Sequence, residues 1–212
     1  MTTPTMTRED AIDAYFDFFA ARGFGPATVA AVAEHCDSHP SALVDALGDR
    51  WAALDAFTRR LDRAGVAATD GSGSVRDRLF DMAMARFDAA QPHRSALAAL
   101  DAETRRRPAL GVALLATLPR TSALLLSAAG ANTIGIDGLV RVQAFAAILA
   151  DAGRVWMSDA DVDQGETMRA LDRRLDQAER LMARLGASET AGQAPMLDLA
   201  PAQPASAASA AI

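Results

Sequence analysis

The chain has no lysine: all 21 of its basic residues are arginines. The glycine- and serine-bearing stretch Asp70–Ser74 therefore lacks the lysine that a phosphate-cradling loop requires. Cys36 is the only cysteine, which excludes an intrachain disulfide and suits a reducing cytoplasm. Aromatic residues make up 5% of the chain, and β-branched residues never gather into alternating runs, so nothing reads as a sheet. No apolar run reaches membrane-spanning length; the best, around Leu110–Ala129, is broken by Pro119 and Arg120. No stable membrane insertion is expected. The N-terminus shows neither a basic region nor an apolar core of a signal peptide, so a cytoplasmic location is expected. Net charge is −6, so any contact with nucleic acid needs a locally positive patch.

Candidate chemistry is equally sparse. His35, His39 and His93 are the only histidines, and no second cysteine or acidic ligand stands at zinc-like spacing beside them. Asp159, Asp161 and Asp163 imitate a calcium loop, but Gln164 and Ala170 stand where the glycine and glutamate belong; helix capping explains the aspartates better. No nucleophile elbow or dinucleotide fingerprint is present. The reading is therefore no enzyme, no metal and no cofactor.

What remains is helix. Half of the residues are hydrophobic, with alanine and leucine abundant, and the fold class expected is all-α. Thr7 and Asp10 form a capping-box pattern ahead of a stripe at Ile12, Tyr15, Phe16 and Phe19. Gly23 and Gly25 end that helix, and Pro26 is placed at the start of the next, with Val29, Val32 and Ala33 inward. Cys36, Asp37 and Ser38 make a turn. Pro40 starts a third helix with Leu43, Val44 and Leu47 buried, and a fourth is striped by Trp51, Leu54, Phe57 and Leu61. Two short helices across a tight turn are the layout of a helix-turn-helix.

A flexible break at Ala67–Ser74 divides a helix-turn-helix domain at 1–66 from a larger helical ligand-binding and dimerisation domain at 75–186. In the latter, Ala109–Leu118 is apolar nearly all round and reads as a central, surrounded helix. Two long helices follow, striped by Leu139, Val142, Phe145, Ala146, Leu149, Ala152 and Trp156, and by Met168, Leu171, Leu175, Ala178, Leu181 and Leu185. Such pairs often meet their copies in a four-helix dimer. Residues 187–212, rich in Ala, Pro, Ser and Gln, read as a disordered tail.

Residues 8–60 resemble the TetR family of bacterial repressors. Phe19, Gly23 and Phe24 match the end of its first helix; Thr28, Val29, Val32 and Ala33 match its second. Leu43, Leu47, Arg50 and Leu54 match the segment that follows. Asp37 replaces the family's turn glycine, Val44 its phosphate-touching tyrosine, and Arg50 its lysine. The resemblance implies DNA contacts from Thr28, Ser38, His39, Ser41, Ala42, Asp45 and Arg50. It also implies a homodimer and a small apolar ligand held by Met82, Phe87, Leu114, Leu118, Leu125, Phe145 and Leu149. Against this, residues 1–64 hold six arginines and ten acids, a net of −4. Residues 75–185 are similar in layout to a TetR-like accessory protein of ubiquinone biosynthesis that binds lipid. The likeness rests on Pro92 with Arg94 to Leu97, on Leu118-Pro119-Arg120, and on Trp156 through Leu175. It implies, as the alternative, a lipid- or isoprenoid-binding accessory role without DNA. Arg105, Arg106 and Arg107 read as a solvated face, because nothing apolar accompanies them as membrane docking requires.

Overall fold

The computed structural model describes residues 6–161 and 163–192. Among these the chain is all-α: α1 Arg8–Arg22, α2 Val29–His35, α3 Pro40–Ala46, α4 Arg50–Ala67 and α5 Val75–Ala90 come first. A 3₁₀ turn at Gln91–His93 leads to α6 Arg94–Arg106, α7 Pro108–Leu115, α8 Leu118–Ala128, α9 Gly135–Ser158 and α10 Gly165–Gly192. The last helix thus continues beyond residue 187, where a tail was expected to begin; residues 193–212 of that tail lie outside the described ones.

Local signals place the first four helices. Thr7 accepts from the Asp10 amide while the Asp10 carboxylate accepts from the Thr7 amide, closing the capping box. Gly23, at φ 84°, ends α1. The second helix starts three residues later than Pro26 suggested. Thr28, not the proline, caps it by accepting from the Ala31 amide, and Pro26 sits in the preceding turn. In α3 only Leu43 is fully buried. Val44, one residue on and so about 100° round the helix, is 56% exposed rather than inward. Asp49 caps α4 through the Trp51 and Ala52 amides.

The buried residues form two cores. The first gathers α1 to α4 around Phe16, Phe18, Phe19, Leu43 and Phe57, but α6 supplies Ala96 and Leu100, and α9 supplies Trp156. The second joins α5, α8, α9 and α10 through Met82, Leu125, Phe145, Leu149 and Leu171. Phe87 touches both. Where α4 crosses α5, Gly65 lets the backbones close: a Cβ there would lie 2.8 Å from the Met82 carbonyl. Beside it the buried Asp62 pairs with Arg86, and burial pushes that guanidinium down to about 10. The break at 67–74 is gathered by Arg78, which donates to the carbonyls of Gly71 (3.1 Å), Gly73 (2.7 Å) and Ala129 (2.7 Å).

One expectation fails outright. The run from Ala109 is not a surrounded core helix: in α7 only Leu110 is buried, and Val112 and Leu115 are 68% and 51% exposed. An apolar pattern on every side does not say which sides the rest of the chain covers. The stripe expected to face a second copy is also largely used at home. Val142, Phe145, Ala146, Leu149, Ala152 and Trp156 are all buried within the chain, as are Leu171 and Leu175.

Candidate functional site

The front of the helix-turn-helix is built from short-range hydrogen bonds. The turn closes because Asp37 adopts φ 50°, the left-handed conformation that the family's glycine takes freely and that aspartate tolerates. The Ser38 amide then donates to the Ala33 carbonyl at 2.9 Å. His39 caps α3: its Nδ1 accepts from the Ser41 amide at 3.2 Å and lies 2.8 Å from the Ser41 hydroxyl. Tyr15 anchors the far end by donating to the Gly48 carbonyl at 2.8 Å, and burial pushes its phenol up to about 12.

This scaffold displays the candidate residues together. Thr28, His39, Ser41 and Asp45 are exposed; Ser38 and Ala42 are half-buried on the same element pair. Thr28 and His39 are already engaged as caps, so each brings an exposed edge rather than a free side chain. Arg50 stands apart. Its guanidinium donates to the carbonyls of Phe24 (3.3 Å) and Gly25 (2.5 Å) and lies 5.0 Å from the Phe24 ring centre. It is thus tied to the loop ahead of α2. No arginine occurs in α2, the turn or α3, while Glu34, Asp37 and Asp45 are exposed there. The formal charge on α2, the turn and α3 is therefore negative.

The same loop is held from the other side by a residue that sequence reasoning missed. Glu103 of α6 accepts from the amides of Phe24 (2.9 Å) and Gly25 (3.1 Å), with Arg107 3.2 Å from its carboxylate. A Cβ on Gly25 would fall 2.7 Å from the Glu103 carboxylate, so any larger residue there makes the carboxylate shift. No sequence signal links positions 79 residues apart. The clamp ties the helix-turn-helix to the larger half.

The ligand candidates do not line a shared hollow. Met82, Leu125, Phe145 and Leu149 close on one another in the second core; Phe87 stacks on Trp156; Leu114 packs against the first core, and Leu118 is half-buried. The buried Trp156 Nε1 has no hydrogen-bond partner among the described residues. A groove of about 730 Å³ lies elsewhere, between α1, α4 and α8, rimmed by Arg8, Arg59, Arg63 and Arg120 above Val66 and Leu124.

No family model matches the sequence, and no curated protein does. Solved structures do. The chain is similar to a TetR transcriptional regulator from Nitrosomonas europaea, with a TM-score of 0.64 at 16% identity over 81% of this chain and 97% of that one. A TetR-family regulator from Streptomyces coelicolor gives 0.49 at 21% identity, covering 83% and 98%. AmtR from Mycobacterium smegmatis gives 0.46 at 19%, covering 87% and 97%. The first of these likenesses establishes the TetR-type fold, over nearly the whole of the neighbour.

Proposed function

We propose that the protein is a ligand-responsive transcriptional regulator that binds DNA as a homodimer in the cytoplasm. The observation that carries this reading is the third helix. It is fixed from beneath by Leu43 and from its end by the Tyr15–Gly48 bond, yet presents His39, Ser41, Val44 and Asp45 to solvent. A short, rigid, outward helix behind a tight turn fits a major groove. With no arginine on the motif, affinity would rest on neutral donors: Thr28, Ser38, His39 and Ser41 toward phosphates and bases, and Ala42 toward a thymine methyl. Arg50 contributes by fixing the loop ahead of α2 rather than by touching phosphate.

For the dimer, α9 offers an outward face distinct from the stripe used inside: Ile136, Val140, Ala144 and Ala147 are exposed at helical spacing. For the effector, Phe87 and Trp156 stand where the two cores meet, and the unpartnered Trp156 N–H favours a ligand that carries an acceptor among apolar groups. Binding there would shift the reading heads through the Glu103 clamp, to the extent that the ligand prefers one arrangement.

A second reading, a lipid- or isoprenoid-binding accessory protein on the same fold, is favoured by one observation: the acidic residues and absent arginines of α2, the turn and α3. The deciding measurement is fluorescence polarisation on DNA from upstream of the protein's own gene, at two salt concentrations. The regulator reading expects a sequence-preferring complex with a shallow salt dependence, since few phosphates are neutralised. Ser41→Glu should abolish it. Absence of any sequence preference, with lipid carried through native mass spectrometry, would hand the function to the second reading.

A further inference from the structure

Between Glu103 and Asp137 the sequence holds no acidic residue, in a chain with 27 of them. That acid-free stretch opens with Arg105, Arg106 and Arg107, all exposed, and runs straight into α7. Leu110 and Leu114 turn α7 inward onto the first core. On the other side Ala109, Val112, Ala113 and Ala116 are exposed on successive turns, with Leu115 beside them. The apolar surface that the arginine run lacked on paper is therefore present in the fold.

We propose that α7, with Arg105 and Arg106, is a docking face for an anionic lipid bilayer, the helix lying in the plane of the interface. Together with α8 the segment Pro108–Ala128 is long and apolar enough to cross a membrane, contrary to the sequence expectation. But α8 buries Thr121, Ser122, Leu125 and Leu126 within the fold, and α7 alone, about 12 Å long, lies on the surface. Its apolar side enters the acyl boundary while the guanidiniums at its N-terminal end meet phosphate heads. Arg105 shares its charge with Asp101 at 2.5 Å and Arg107 with Glu103 at 3.2 Å; among the described residues Arg106 has no ion pair. Neither described groove is lined by α7, which suits a plane better than an inserted peptide. A symmetric contact with a second copy would bring like arginine runs together. The surface is separate from α3, so it goes beyond the regulator reading and is tested without DNA.

The experiment is co-sedimentation of the full chain with vesicles of phosphatidylcholine alone and of phosphatidylcholine mixed with phosphatidylglycerol. The protein should pellet with the mixed vesicles and stay in solution with the neutral ones. Arg105→Gln with Arg106→Gln should lower partitioning by roughly tenfold, and high salt should do the same. Val112→Asp with Leu115→Asp should abolish it, with the far-UV circular dichroism unchanged because both side chains are already exposed. The proposal is overturned if the wild-type chain ignores anionic vesicles, or if the aspartate variant still pellets. It is equally overturned if the aspartate pair instead splits a dimer seen by light scattering, which would assign the face to a second copy.

Discussion

Single side chains decide whether the N-terminal half is rigid. Glu103 and Arg50 grip one loop from opposite edges, the first taking its amides and the second its carbonyls. Charge-assisted bonds of this kind are worth more than neutral ones, and removing the carboxylate strands two donors. Glu103→Ala is expected to destabilise the chain by about 1.5–3 kcal/mol in urea titration. Faster amide exchange should be confined to Phe24 through α2. If exchange there stays at the wild-type rate, the loop is held by Arg50 alone. His93 gives a second test. Its ring sits against Phe16 and Phe57, and burial holds its pKa below the ordinary histidine value, with Arg60 adding to the effect and Asp13 and Asp17 opposing it. A group kept neutral in the folded state contributes stability that is complete above its unfolded pKa of about 6.5 and is lost as pH falls toward the lower folded value. The urea midpoint should therefore drop between pH 7.5 and 5.5. His93→Phe, which keeps a ring in place, should flatten that drop; an identical slope in the variant would assign it to other groups.

At the scale of elements, much of the head was legible because its signals are local. The Thr7 capping box, the glycine end of α1, the left-handed turn at Asp37 and the cap at Asp49 each involve residues within four positions of one another. The start of α2 was misplaced because proline is tolerated both at a first helical turn and just before a cap. The exposure of α7, the burial of the α9 stripe and the occupation of Arg50 were not legible, since each depends on which distant element covers a face. The dimer seam suffered most: an apolar stripe reads alike whether its partner is the same chain or another. The turn itself yields a prediction. Asp37→Asn keeps a side chain that accepts φ 50° while removing a negative charge beside α3, and Asp45→Asn removes another. On the regulator reading the double variant should hold DNA severalfold tighter at low salt, with an unchanged thermal midpoint, because like-charge repulsion at a phosphate surface is relieved. Equal affinity in variant and wild type would mean that α3 does not face DNA.

At the scale of the whole molecule, the two cores share α5, with its Phe87, and α9, so the N-terminal helices cannot move without disturbing the body. On the regulator reading, two heads at fixed separation are also needed, which a single chain cannot supply. The outward face of α9 is the surface that would set that separation, because Ile136, Val140, Ala144 and Ala147 line it with apolar or small groups and the intramolecular core has no use for them. Val140→Glu with Ala144→Glu places two carboxylates in the middle of that face. Light scattering should then report a monomer where the wild type is a dimer, and circular dichroism should be unchanged. DNA retention should fall to the level of nonspecific binding even though α3 is untouched, since one half-site contact alone loses the coupled second one. A variant that stays dimeric would move the seam elsewhere on the body. A wild-type chain that is itself monomeric would leave two half-sites with one head, and the gene-control reading would fall with it.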